Sequence, residues 1–174
     1  RSAPSSETPA WAGARRTNVG IAELAVSGDP GVVLATYALG SCLGITLWDA
    51  EAGVGGLLHV MLPESSLDPQ RARVNPERFV DTGLPLLFHR CYALGARKDR
   101  MQVRVAGGAS MRREGQEDQF KTGKRNLLAL RQMLWKNGVF LQKADVGGSR
   151  SRSIFLHLDG GELLVKSEGS SYRL

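Results

Sequence analysis

The stretch VVLATYALGSCLGITLWDAEAGVGGLLHVML, residues 32–62, decides the fold class. Val32 to Tyr37 is rich in β-branched residues and reads as a strand. Leu43 to Trp48 reads as another, with Leu43, Ile45 and Leu47 sharing one face. Asp49-Ala50-Glu51-Ala52-Gly53 supplies the turn of a hairpin into residues 54–62. Few charges interrupt these runs, as expected of strands in a sheet interior. Upstream, residues 19–26 alternate through Val19, Ile21, Leu24 and Val26, and Asp29-Pro30-Gly31 marks the turn that follows. The first third therefore reads as a β-meander whose second turn is Gly40-Ser41-Cys42.

Beyond this region the pattern changes period. Asn75-Pro76-Glu77 reads as a helix start, with Asn75 as N-cap and Pro76 at the first helical position. Apolar Phe79, Val80, Leu84, Leu86, Leu87 and Cys91 carry that helix towards Gly95, with Pro85 expected to kink or divide it. A strand is expected from Met101 to Ala106. A second helix is expected over 124–137, burying Leu127, Leu130 and Leu134, with Trp135 at the margin of that face. Residues 139–145, 153–158 and 162–165 complete a set of about eight strands, estimated from their period and turn spacing. Clustered strands with two main helices predict an α+β domain of packed mixed β-sheets with helices on the outside. Residues 1–16 carry Pro, Ser, Ala and Arg without an apolar run, predicting a disordered tail ahead of a single domain over 17–174.

Composition narrows the function classes. The 174 residues are 42% hydrophobic and 23% charged, as in an ordinary globular protein, and no apolar run reaches the length of a membrane span. Two cysteines, Cys42 and Cys91, read as reduced thiols in a cytoplasmic protein, because disulfide frameworks use more cysteines in shorter secreted chains. The net charge of +6 gathers at Arg112-Arg113, Lys121-Lys124-Arg125 and Arg150-Arg152. With aromatics at only 6% and mostly inside apolar runs, this charge does not describe a nucleic-acid surface. Neither membrane insertion nor nucleic acid is expected.

The chemistry concentrates on Cys42. A cysteine is often only a small buried hydrophobe, but here Gly40-Ser41 precedes it and a histidine, His59, lies on the next strand. Glycine permits a sharp turn that leaves amide groups facing an incoming carbonyl, and an imidazole base makes a thiol a competent nucleophile. His59 is flanked by Leu57, Leu58, Val60, Met61 and Leu62, so a buried imidazole there requires hydrogen-bond partners. His157 is the rival base, and His89, beside Arg90, reads as solvent-facing. Thr36, on the strand before the turn, is a candidate to orient the ring of His59, where other triads use a carboxylate. The histidines and cysteines lack zinc spacing, so neither a metal nor a cofactor is implied. A cysteine peptidase is the alternative enzyme, with Asp145 or Asn126 as the orienting residue.

At these positions the chain resembles the chemoreceptor glutamine deamidase family (CheD) of bacterial chemotaxis. The matching text is Thr36-Tyr37-Ala38-Leu39-Gly40-Ser41-Cys42, Trp48-Asp49 and Gly55-Gly56-Leu57-Leu58-His59-Val60-Met61-Leu62-Pro63. It continues through Val105-Ala106-Gly107-Gly108-Ala109, Lys124-Arg125-Asn126 and Asp145-Val146-Gly147-Gly148, covering residues 18–168. The resemblance implies Cys42, His59 and Thr36 as catalytic residues and a fold like that of bacterial toxin deamidases. It places Gly40 and Ser41 against the substrate. It also implies hydrolysis of glutamine side chains on the cytoplasmic helical region of methyl-accepting chemoreceptors, and binding of a CheC-type phosphatase. The same thioester route would serve a glutamyl methyl ester. A non-enzymatic adaptor that binds CheC or receptors is the alternative within the family. Two departures stand out: Ser149-Arg150-Ser151-Arg152-Ser153 replaces a usual Gly-Arg segment, and Thr122-Gly123 replaces a common Ile-Gly pair.

Overall fold

The computed structural model describes residues 13–110 and 121–174. Among the described residues, ten strands form two five-stranded sheets, each mixing parallel and antiparallel pairs, with helices against one of them. The α+β expectation holds. The first sheet contains β1 (Arg15–Asn18), β3 (Val32–Leu39), β8 (Arg152–His157), β9 (Glu162–Ser167) and β10 (Ser170–Arg173), in the order 1-3-8-9-10. The second contains β2 (Leu24–Ser27), β4 (Leu43–Asp49), β5 (Val54–Val60), β6 (Gln102–Gly107) and β7 (Leu141–Val146), in the order 2-5-4-6-7.

Strand order corrects the meander. β4 and β5 form the expected hairpin, with Asp49 opposite Val54 and Leu43 opposite Val60. β3, however, pairs with β1 and β8 and makes no ladder with β4. Gly40-Ser41-Cys42 is therefore a crossing between two sheets. The strand expected over 19–26 is shorter than its alternation suggested: only residues 24–26 enter a strand, β2, which edges the second sheet, while residues 19–23 link it to β1, which runs parallel to β3. Arg15 and Arg16, assigned to the tail by composition, belong to β1; residues 1–12 and Arg112-Arg113 lie outside the described residues.

The side-chain period of two sorts β4 and β5 between two cores. Leu43, Ile45, Leu47, Val54, Leu58 and Val60 face the helices. Trp48 and Leu57 face the first sheet, where they join Leu34, Leu39, Ile154 and Leu156. The helix layer comprises α2 (Val80–Ala93) and α3 (Thr122–Lys136); the short α1 (Pro69–Val74) buries no residue and lies outside that core. The layers thus run first sheet, second sheet, helices.

Two helix expectations shift. Asn75 precedes a single 3-10 turn, Pro76–Arg78, and α2 starts only at Val80, because the Val80 N–H donates to the Leu62 carbonyl and holds Phe79 extended. α2 passes through Pro85 undivided, its buried face (Leu84, Leu87, Phe88, Cys91) outweighing one lost N–H. On α3, Leu130 and Leu134 are buried and Leu127 partly so, while Trp135 is 82% exposed. No helix among the described residues is long and apolar enough to cross a membrane.

Candidate active site

The site forms where the chain leaves the first sheet. Thr36 pairs with Ile154 and Leu39 with Arg152, so β3 holds one more residue than β8 across this interval. That bulge, with Ala38 at φ 55°, inverts the alternation. Thr36 and Leu39 both point inward although three positions apart, and Tyr37 and Ala38 point out. The bulge thereby keeps Thr36 in the interior while redirecting the chain towards the second sheet.

His59 enters the same space from the opposite side. It shares a face of β5 with Gly55 and Leu57, which look towards the first sheet, and is 1% exposed. Thr36 Oγ1 lies 2.7 Å from His59 Nδ1 and 2.7 Å from the Val19 carbonyl oxygen. A hydroxyl has one proton, and a carbonyl can only accept it. Thr36 therefore donates to Val19 and accepts from Nδ1–H. This assigns the imidazole tautomer with the lone pair on Nε2, a buried atom with no hydrogen-bond partner among the described residues.

Cys42 follows from the ladder. Gly44 pairs with His59 and Leu43 with Val60, so Cys42 lies diagonal to His59 on the same face. Diagonal neighbours have Cβ atoms roughly 7 Å apart, within reach of an aromatic side chain. Gly44 keeps this corner open, since a Cβ there would stand 2.6 Å from Ile154 Cδ1 and 2.9 Å from Leu39 Cδ1. The thiol is half-buried and free of disulfide. No hydrogen bond joins it to His59 among the described residues, a common state for catalytic pairs without substrate.

The carbonyls of the crossing are all held. Ala109 N–H donates to Gly40, Gly108 N–H to Cys42, and Asn126 Nδ2 to Ser41 at 3.0 Å. Glycines make this approach possible: a Cβ at Gly107 would sit 2.2 Å from the Cys42 oxygen, and one at Gly123 only 2.4 Å from the Gly108 oxygen. By contrast, no backbone carbonyl among the described residues accepts from the N–H of Ser41 or Cys42. Backbone N–H groups that are not committed to a carbonyl can serve as donors to an oxyanion.

Burial sets the protonation states. It raises the Cys42 thiol above its ordinary value, only partly countered by the residue's own N–H and the charge of Arg78. It lowers His59 to about 4. The resting pair is neutral thiol and neutral imidazole, so the proton must move as the sulfur attacks. Cys91, fully buried and pushed up to about 12, is inert at neutral pH.

Of the residues singled out from the sequence, Thr36 and His59 touch, the ladder register sets Cys42 diagonal to His59, and Gly40 and Ser41 lie in the crossing just before it. His157 pairs with Val33 and shares with Phe155 the face of the first sheet turned away from Cys42, which removes it as the base. His89 is exposed against Tyr92. Neither proposed peptidase orienter meets His59. Asn126 binds backbone carbonyls, and Asp145 receives Arg152 and the Tyr172 hydroxyl. Sequence reasoning missed the support: Gly107, Gly108, Gly123 and Arg152, whose Nη1 donates to the Gly107 carbonyl at 3.3 Å. The double-glycine text at 107–108 was the available signal for a close backbone approach.

Comparison with known proteins gives a consistent set of matches. Residues 61–167 match the family described as "CheD chemotactic sensory transduction". The chain is 45% identical over 155 residues to a probable chemoreceptor glutamine deamidase CheD 1 of Syntrophus aciditrophicus, covering 89% of this chain and 96% of that relative. It is 46% identical over 156 residues to a probable chemoreceptor glutamine deamidase CheD of Solibacter usitatus, covering 90% and 91%. A probable chemoreceptor glutamine deamidase CheD 2 of Anaeromyxobacter dehalogenans is 48% identical over 149 residues, covering 86% and 92%. The family match begins after His59, so it is independent of the three side chains described above.

Proposed function

The chain belongs to the CheD family, and from that membership we propose that it is a protein-glutamine glutaminase that deamidates chemoreceptor glutamines through Cys42. The observation that supports the residue assignment is the Thr36–His59 hydrogen bond, which leaves Nε2 as a lone-pair base on a residue diagonal to Cys42.

In the proposed reaction, Nε2 takes the Cys42 proton while Sγ attacks the side-chain carboxamide carbon. The carbonyl oxygen becomes an oxyanion near the N–H groups of Ser41 and Cys42, neither of which donates to a backbone carbonyl among the described residues, an interaction worth roughly 3 kcal/mol per donor. The imidazolium then protonates the nitrogen, the C–N bond breaks, and ammonia leaves a thioester. His59 next removes a proton from water, hydroxide adds to the thioester carbon, and collapse releases glutamate and the restored thiol. Thr36, a neutral hydroxyl, holds the tautomer but stabilises imidazolium less than a carboxylate does.

The relatives' names point to chemoreceptor glutamines as substrates; we take these to lie on the helical cytoplasmic region of methyl-accepting receptors, with the reaction in the cytoplasm. A CheC-type phosphatase belongs in this proposal as a binding partner. The half-buried setting of Gly40, Ser41 and Cys42 suits a glutamine presented from a helix surface. The test is to incubate the protein with a receptor cytoplasmic fragment and follow ammonia release together with the amide-to-acid mass change by peptide. Cleaved peptide bonds would establish a peptidase instead. Intact receptor binding without turnover would establish an adaptor.

A further inference from the structure

One buried amide group connects the nucleophile's loop to the base's strand. Asn126 is fully buried on α3, and its Nδ2 donates to the Ser41 carbonyl and the Met61 carbonyl, each at 3.0 Å. Ser41 adjoins Cys42, and Met61 lies just past His59 at the end of β5. The other two carbonyls of the crossing, Gly40 and Cys42, are held by backbone N–H groups. Ser41 alone depends on a side chain. Asn126 Oδ1, equally buried, has no hydrogen-bond partner among the described residues. Solvating neither end, the protein retains a polar group whose unsatisfied oxygen costs stability. Leucine would fill such a position on a helix packed against a sheet more favourably. Gly123, one turn earlier, lets α3 approach the 108–109 backbone closely enough for this reach.

We infer that Asn126 is a positioning residue that fixes the Cys42 loop against the His59 strand, so that the thiol meets Nε2. The inference rests on the proposed roles of Cys42 and His59. Asn126 touches neither the thiol nor the substrate carbon; it sets the spacing between two strand ends that no ladder pair continues beyond Leu43 and Val60. A misplacement of about 1 Å at such a centre lowers the rate by up to roughly 10²-fold.

The test is a double-mutant cycle on Cys42 alkylation by iodoacetamide at neutral pH, with mass spectrometry locating the adduct. It uses wild type, Asn126→Ala, His59→Ala and the double variant, all in the full chain. Leu130→Ala, a core truncation one turn further along α3, controls for general loosening. Asn126→Ser, which retains one donor, replaces Asn126→Ala if the latter does not fold.

Positioning requires that Asn126→Ala slow alkylation about tenfold or more in the wild-type background yet have little effect once His59 is gone. On receptor fragments kcat should fall by a similar factor with KM nearly unchanged. Leu130→Ala should keep both rates per folded molecule. Multiplicative effects of Asn126 and His59, or an unchanged rate in Asn126→Ala, would overturn the inference while leaving the proposed catalysis intact. If His59→Ala changes neither alkylation nor turnover, the catalytic reading fails and the inference fails with it.

Discussion

Two turns separated by a single strand have opposite dependencies. The turn after β4 closes on its own residues before any distant contact is added: Asp49 Oδ1 accepts the N–H of Glu51 and Ala52, and the strands on either side pair from Asp49–Val54 to Leu43–Val60. Asp49 Oδ2 adds the Arg97 N–H and Arg100 Nε. Burial alone would push the Asp49 carboxyl up; the Ala52 and Arg97 amides and the Arg100 guanidinium outweigh it and hold it below its ordinary value. The turn after β3 has no ladder of its own. Its carbonyls are held by residues 108–109 and 126, far away in sequence. The core of the first turn can be built from local residues; the carbonyl contacts of the second exist only in the assembled protein.

The largest expected effect tests whether the second turn alone carries the chemistry. Cys42→Ala and His59→Ala should each lower deamidation by about 10³-fold or more while leaving the circular-dichroism spectrum unchanged. A fully active Cys42→Ala protein would sink the proposal.

The next effect belongs to the first turn. Asp49→Ala removes a buried carboxylate with four hydrogen bonds and should cost about 3 kcal/mol of stability in urea titrations. Activity per folded molecule should not change. A specific activity loss would erase the distinction between the turns.

A comparable effect is expected from pH. His59 titrates near 4 in the folded protein against 6.5 ordinarily, so between those values the unfolded chain binds the extra proton. Stability should therefore fall as pH drops through that window, by up to about 3 kcal/mol, and level off below pH 4. His59→Gln should lack this component in denaturation curves taken across pH. The acid limb of kcat/KM should likewise lie well below pH 6.5, since the base stays neutral there.

The smallest effect sharpens the role of Thr36. Thr36→Val leaves Nδ1–H unpaired and should reduce kcat roughly tenfold, with Thr36→Ser recovering most of it. Steady-state kinetics on one receptor peptide would resolve the difference.

Most central strands, and the candidates Cys42, His59 and Thr36, were legible in the sequence because side-chain period and residue chemistry are local properties; the edge strands β1 and β10 were not. Residues 43–49 and 54–60 alternate, and a hairpin turn between them leaves one register. Partner choice was not legible. Nothing in VVLATYAL distinguishes pairing with the adjacent β4 from pairing with the distant β8, because both offer an apolar face and the same backbone groups. The bulge at Tyr37-Ala38 was hidden for a related reason: alanine carries no turn signal, and its left-handed backbone is imposed by the strands around it. Asn126 was a candidate orienter for His59 by residue type, and only packing showed that it binds the Ser41 and Met61 carbonyls instead.

By itself, then, the sequence determined which residues could do chemistry, the α+β class and the family. Tertiary structure decided that Gly40-Ser41-Cys42 crosses between sheets, that Thr36 and not Asn126 or Asp145 meets His59, and that His157 faces away. Those outcomes depend on which surfaces bury each other, a cooperative choice among distant segments that no single stretch of sequence encodes.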